Sequence, residues 1–299
     1  MAQCLTDFLK EQDVEFYELF EMSKISSIGI GGKARLLASP NTEEKLIRLI
    51  DFLVENNEKH IIVGRMTNIL PCDSEYSGVL ISTLKISTYN VAEIRCSVSC
   101  GTDFSKLLYN LSAMGYGGME ELFGIPGSVG GMIFGNAGAY GKSVSDFITD
   151  VTVYDPLRKK KYSLDASEMG FAYRESIVKH TRLTVLSANL IFSLKAVNDI
   201  RERFSEIISL RKASQPYGQK SLGSIFKRSG DIAISRLIDN LGLKGLRIGG
   251  AEISEKHAGF IVNVGGATAK DVTELIKIIK NKIFSAYGIE AEEEIQFMK

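Results

Sequence analysis

Two periods of apolar spacing alternate along this chain of 299 residues. Leu46, Ile47, Leu49, Ile50, Leu53 and Val54 recur at helical spacing after Asn41-Thr42, with Glu43 and Glu44 in the first turn, where carboxylates suit a helix start. The apolar runs 60–64 and 79–83 read as strands. Segment 93–100 alternates strictly, with Ile94, Cys96, Val98 and Cys100 on one face and Glu93, Arg95, Ser97 and Ser99 on the other, the pattern of a half-buried strand. Phe104, Leu107, Leu108 and Leu111 mark the next helix, with Asp103 as its cap and Gly115 as its stop. Strands return at 150–155 and 183–194. Beyond them, Ile200, Phe204, Ile207 and Ile208 predict a helix running towards Gln215-Pro216, and Ile234, Leu237, Ile238 and Leu241 a second that stops at Gly242. A strand over 257–265 precedes a long helix with Val272, Leu275, Ile276, Ile279 and Ile283, and the chain closes on the strand-like EEEIQF. Strands and helices mixed without regular βαβ alternation predict an α+β fold, with a domain boundary near 196–204.

Composition narrows the class. With 44% hydrophobic and 24% charged residues the chain is ordinary globular material, long enough for two or three domains. The 36 basic and 36 acidic residues cancel, which argues against a nucleic-acid partner. The basic run Arg158–Lys161 follows Asp155-Pro156 and reads as a solvated turn. No apolar run approaches the roughly 18 residues of a membrane span, and the amphipathic, acidic start lacks the pattern of a signal peptide. A cytoplasmic protein is expected. Of Cys4, Cys72, Cys96 and Cys100, the last two stand four strand positions apart. That is about 13 Å, beyond the roughly 7 Å a disulfide spans, so they read as core cysteines. His60, His180 and His257 have no metal-ligand spacing, and no metal is expected.

The segment 124–141, GIPGSVGGMIFGNAGAYG, holds seven of the 28 glycines. Bare backbone admits positive φ and close approach, and successive amides in such a turn form an anion-binding nest. A tight crossing between strands needs the same glycines, and composition alone does not separate the two. Neither nucleotide fingerprint fits, because the P-loop G-x-x-x-x-G-K-[ST] and a strand-bound G-x-G-x-x-G with its later acidic residue are both missing.

The stretch GMEELFGIPGSVGGMIFGNAGAYG resembles the flavin-binding signature of the UDP-N-acetylenolpyruvoylglucosamine reductases. SSIGIGGKA (26–34), VGRMTNIL (63–70), FAYRES (171–176), RKASQP (211–216), SLGSIFK (221–227), AEISEKHAGFIVN (251–263) and GIEAEEEIQF (288–297) resemble further family blocks in the family's order. The resemblance spans nearly the whole chain and is to the family type that lacks an inserted tyrosine-bearing loop. It implies a two-subdomain FAD-binding module of the vanillyl-alcohol-oxidase/PCMH type (1–83 and 84–200) and a C-terminal α+β substrate domain (201–299), whose last strand may return to the FAD module. It implies noncovalent FAD, NADPH as hydride donor, and a UDP-sugar substrate, UDP-N-acetylglucosamine enolpyruvate, reduced to UDP-N-acetylmuramate. It leaves the oligomeric state open.

The resemblance also implies the site. Gly31 and Gly32, then Gly64, Thr67 and Asn68, line the cofactor, and Gly124, Pro126, Gly127, Ser128, Gly130 and Gly131 face its pyrophosphate. Asn136 bonds the flavin or caps a turn. Arg174 meets the enolpyruvyl carboxylate, Ser224 protonates C2, and Glu294 polarises the developing enol. Tyr173, Arg211, Gln215 and Lys227 are candidate substrate contacts, and Lys227 is also a candidate to assist the Ser224 hydroxyl. Taken singly, each has an ordinary alternative: a surface ion pair for Arg174, a turn for Ser224, a solvated acidic run for Glu294, core packing for Tyr173, helix-end solvation for Arg211 and Gln215. Strand alternation sets Glu294 opposite Ile295 and Phe297. His257 reads as structural. Four departures from the family pattern stand out: Met66 for a glycine, Thr67 for a serine, Arg228-Ser229 for Asn-Pro, and Gly135 for Met. They leave open a related flavin oxidoreductase with another acceptor. A noncatalytic flavin-binding protein is the remaining reading, opposed by the retention of Arg174, Ser224 and Glu294 together.

Overall fold

The computed structural model describes residues 2–298. Chain contacts divide it into two compact units that interleave in sequence. One takes the chain up to Leu19, Arg35–Arg65 and Ser77–Ile208; the other takes Phe20–Ala34, Met66–Tyr76 and the chain from Ser209 on. The sequence reading divides the chain in order, at 83 and 200; the compact units do not follow that order.

In the first unit, strands Glu15–Glu21, Lys33–Ser39, Tyr76–Ser82 and His60–Val63 form a four-stranded sheet in that order. The helices α1 (Ala2–Glu11) and α2 (Glu43–Glu55) cover it, and Leu5, Leu9, Leu46, Leu49, Leu53, Val79 and Ile81 form the shared core. Helix α2 begins at Thr42, whose Oγ1 accepts the Lys45 amide at 3.2 Å, satisfying one of its orphan donors. A second, antiparallel sheet of the same unit runs Lys160–Asp165, Ile148–Asp155, Thr184–Ile191, Arg95–Ser99, Tyr89–Ala92. Helices α3 (Phe104–Ser112) and α4 (Val129–Phe134) pack on it. Here the single strand expected over 93–100 is corrected. Glu93 has φ 53° and Ile94 is exposed, so both form the turn of a hairpin that joins Tyr89–Ala92 to Arg95–Ser99. Cys96, Val98 and Cys100 are buried as the alternation predicts. The basic run leads from the turn after Ile148–Asp155 into the edge strand Lys160–Asp165, with Lys159 paired to Glu55 and Lys161 to Glu43.

Helix α5 (Val197–Ser214) passes from the first unit into the second after Ile208. The second unit holds the antiparallel sheet Ser221–Ser224, Phe260–Asn263, Ala251–Ile253, Arg247–Ile248. Helices α6 (Ile234–Asn240) and α7 (Ala269–Tyr287) back it through Ile238, Val272, Leu275, Ile279 and Ile283. Ile28, Ile30 and Leu70 belong to the same core. The closing strand, Gln296–Phe297, pairs in parallel with Ile69–Leu70. The alternation expected for that end fails beyond Ile295: Phe297 is exposed and Met298 is buried, because regular pairing covers only two residues.

Candidate active site

In the first unit the glycine-rich segment turns into α4. Ser128 caps the helix, its Oγ accepting the Gly131 amide at 3.4 Å. Val129 donates to the Thr102 carbonyl at 2.9 Å, and Gly130 to that of Cys100 at 2.7 Å. A Cβ on Gly130 would stand 3.1 Å from the Cys100 Cβ, so this glycine serves the strand crossing. The crossing reading therefore holds at Gly130. The amides of 129–131 are used inside the protein, and so is that of Ile125, which donates to the Leu122 carbonyl at 3.2 Å. In the turn 124–128, Gly124 has φ 81° and donates to Ser105 Oγ at 3.1 Å, Pro126 is exposed, and the Gly127 carbonyl accepts from Phe104 at 3.1 Å. Gly64 joins it, lying so close that a Cβ there would collide with Ser128 Oγ. Arg65 pairs with Asp103 beside the turn and neutralises the carboxylate nearest it.

The Tyr173–Ser176 loop is bolted onto the far end of α4. Asn136, buried and at φ 38°, donates to the Ala172 carbonyl at 2.9 Å and accepts from the Ser145 amide at 3.2 Å. It therefore holds the loop, which is the capping alternative. Ser176 Oγ donates to the Phe134 carbonyl at 2.7 Å. Arg174 sits at φ 58°, donates from Nη2 to Gly138 O at 3.0 Å, and lies 5.1 Å from the Tyr173 ring centroid. A non-glycine residue held left-handed costs on the order of 1–3 kcal/mol and persists where surroundings over-determine it. Tyr173 is 50% exposed, which excludes core packing. Lys179 escapes a sequence reading: its ammonium donates to the Arg174 carbonyl, below the Phe134 ring. The only sequence signal is a cation five positions after Arg174.

In the second unit Ser224 and Glu294 come together. Gly223 takes φ 77°, the pairing register shifts between Ser221 and Ser224, and Ser224 lies opposite Phe260. Ser224 Oγ donates to Phe226 O at 3.2 Å. Glu294 donates its main-chain N–H to the Ile225 carbonyl at 2.7 Å, and Lys227 likewise to that of Glu292 at 2.9 Å. The Ser224 chain and the closing acidic run are thus paired side by side. The Lys227 ammonium donates to Glu292 Oε1 at 2.6 Å, so this lysine has a carboxylate to hold. The first glycine turn belongs to this unit: Gly31 takes φ 135°, and Gly32 donates to the Cys72 carbonyl at 2.9 Å. Met66 adopts φ 47° with its side chain buried. That is the left-handed region that favours glycine, here adopted by a methionine whose side chain packs into the interior. Thr67 is partly buried, and Asn68 donates to the Glu294 carbonyl at 3.0 Å. Arg211 is buried in the last turn of α5, and Gln215 follows it, half-buried, donating to the Arg211 carbonyl at 2.8 Å. Solvation of the helix end does not describe Arg211. His257 is structural: its Nδ1 accepts the Gly259 amide at 3.1 Å, its ring lies edge-on to Phe260, and burial lowers its pKa. Ser229 and Ile232 close a small turn in which Arg228 donates to Asp231 O at 2.5 Å. Gly135 has an ordinary backbone, and a Cβ there would stand 3.7 Å from the Gly131 carbonyl oxygen, an ordinary contact; nothing there requires glycine.

Within the first unit, the glycine turn with Gly64 packed against Ser128 and the Asp103 carboxylate paired to Arg65 is compatible with a diphosphate-bearing cofactor. The class this defines is a flavin-binding α+β protein. Residues 34–157 match the family described as FAD binding domain, and residues 215–298 match UDP-N-acetylenolpyruvoylglucosamine reductase, C-terminal domain. The UDP-N-acetylenolpyruvoylglucosamine reductase of Caldicellulosiruptor bescii is 36% identical over 97% of this chain and 93% of its own length. That of Pseudothermotoga lettingae is 40% identical over 91% and 93%. The crystal structure of the Thermus caldophilus enzyme superposes with a TM-score of 0.82 at 31% identity, covering 96% of this chain and 99% of that one. The chain belongs to the UDP-N-acetylenolpyruvoylglucosamine reductase family.

Proposed function

We propose that this protein is an FAD-dependent reductase that uses NADPH to convert UDP-N-acetylglucosamine enolpyruvate to UDP-N-acetylmuramate, in the cytoplasm, for peptidoglycan precursor synthesis. When bound, FAD would supply hydride transfer between NADPH and C3 of the enolpyruvyl group. The chain's own residues supply the remainder. Arg174 binds the enolpyruvyl carboxylate, where negative charge develops. Ser224 delivers the proton to C2, so that one hydride and one proton saturate the C=C bond and NADPH leaves as NADP⁺. Glu294 polarises the developing enol. The turn 124–128, with Gly64, Thr67, Gly31 and Gly32, holds the cofactor, and Tyr173, Arg211, Gln215 and Lys227 contact substrate. The single observation that carries the reading is the 2.7 Å bond from Glu294 N–H to the Ile225 carbonyl, which sets the proposed enol-polarising residue beside the chain of the proposed proton donor.

The test is an anaerobic spectrum series. NADPH should bleach the visible flavin bands, and UDP-N-acetylglucosamine enolpyruvate should restore them. Ser224→Ala should bleach normally and recover on the order of 10²–10⁴-fold more slowly, the usual range for a lost general acid. Bleaching without recovery in the unsubstituted protein would point to a different acceptor.

A further inference from the structure

Asn68 ends the second glycine turn, one residue before the strand Ile69–Leu70. It grips the closing segment twice. Its side-chain Nδ2 donates to the Glu294 carbonyl at 3.0 Å, and its main-chain carbonyl accepts from the Gln296 amide at 2.8 Å. On the other side, Glu294 N–H is held by the Ile225 carbonyl at 2.7 Å, directly after Ser224. The two main-chain polar groups of Glu294 are therefore claimed from opposite sides, one by the Ser224 chain and one by the turn. The first glycine turn reinforces this: Ser27 Oγ donates to the Ser221 carbonyl at 2.6 Å, and Ser27 N–H to that of Met66 at 3.3 Å. The second bond that the Glu294 carbonyl receives, from Gln296 Nε2, is long at 3.4 Å and a weak substitute.

We propose that Asn68 is a positioning residue for Glu294. Its amide fixes the Glu294 main chain against the Ser224 chain, so that the second glycine turn and the proton-delivery pair form one rigid piece. Any shift of that turn is then passed to Glu294. This rests on the role assigned to Glu294 above. It assigns Asn68 a task other than binding the cofactor, and the two tasks have different kinetic signatures.

The experiment uses the full chain loaded with FAD and two variants, Asn68→Ala and the near-isosteric Asn68→Asp, which keeps volume but cannot donate when ionised. Four quantities are read: FAD affinity by fluorescence, the NADPH bleaching rate, the recovery rate with UDP-N-acetylglucosamine enolpyruvate, and the pH profile of recovery. Misplacement of a reacting group by about 1 Å costs on the order of 100-fold. Both variants should slow recovery towards that extent and displace its pH profile, with bleaching rate and FAD affinity nearly unchanged. Combined with Glu294→Gln, Asn68→Ala should add little further loss, since both act through one group. Bleaching, recovery and FAD affinity falling together would reduce Asn68 to a cofactor ligand and overturn the proposal. A lowered melting temperature with all rates intact would do the same. If Glu294→Gln slows recovery while both Asn68 variants recover normally, this proposal alone fails. If Glu294→Gln recovers normally, the assignment of Glu294 fails and takes the proposal with it.

Discussion

Met66 shows how one side chain settles competing energies. Its left-handed backbone costs about 1–2 kcal/mol, and a glycine there would remove that cost. Its side chain, however, is 2% exposed, and deleting a buried Met costs about 2–5 kcal/mol, with further loss from the freer unfolded chain. Met66→Gly should therefore lower stability by roughly 1–4 kcal/mol net, read as a lower urea midpoint; a raised midpoint would show that strain dominates. The core cysteines yield a second residue-scale expectation. Burial pushes the Cys96 thiol up to about 11 and Cys100 to about 12. With a raised folded pKa, the stabilisation is complete below the unfolded thiol pKa and is lost as pH rises. Above about pH 9 each buried thiol should cost about 1.4 kcal/mol per pH unit until its folded pKa is reached, and alanine at both positions should flatten that slope. In the folded protein at pH 8, Cys4 and Cys72 should react with a thiol reagent before Cys96 and Cys100, which are buried.

Among the elements, α7 has the most elaborate start. Thr268 and Asp271 form a capping box, and the Asp73 carboxylate accepts the amides of Ala269 at 2.7 Å and Lys270 at 2.9 Å. Two charge-assisted bonds at a helix N-terminus suit the positive end of its dipole. Asp73→Ala should cost about 2–4 kcal/mol, measured by urea unfolding, and an effect below about 0.5 kcal/mol would show that water replaces it. The Thr268 amide lowers the Asp271 pKa. A depressed carboxylate stabilises above its unfolded pKa, so that contribution should disappear as pH falls through the folded value and be missing in Asp271→Asn. Helices α2, α3, α5, α6 and α7 were legible because their apolar faces lie within one stretch of chain, whereas α1 and the short, glycine-rich α4 were not. The edge strands Glu15–Glu21 and Lys160–Asp165 were not either, since most of their residues are exposed, and the short alternation of Tyr162 and Leu164 follows a basic turn.

For the whole molecule, the last residues matter most. Ala291, Ile295 and Met298 are buried, and Gln296–Phe297 pairs with Ile69–Leu70. Burying one such side chain contributes about 1.5–3 kcal/mol, so removing the chain after Glu290 forfeits an amount comparable to a whole domain's stability of about 5–15 kcal/mol. That truncation should unfold the second unit, seen as lost thermal cooperativity by circular dichroism, while removal of Lys299 alone should not. Among the described residues no helix is long and apolar enough to cross a membrane.

The sequence by itself determined the α+β class, the positions of the main helices, the burial of Cys96 and Cys100, and the order of the family's motifs, because each is written in local spacing. It marked Ser224 and Glu294, 70 positions apart, but not their pairing. Only the tertiary structure decided that Gly130 serves a crossing while Gly64 packs on Ser128, that Met66 takes a left-handed backbone, and that residues 20–34 and 66–76 belong with the C-terminal unit. Those outcomes depend on hydrogen bonds and close approaches between distant segments, and local spacing carries no record of which distant carbonyl an amide will meet.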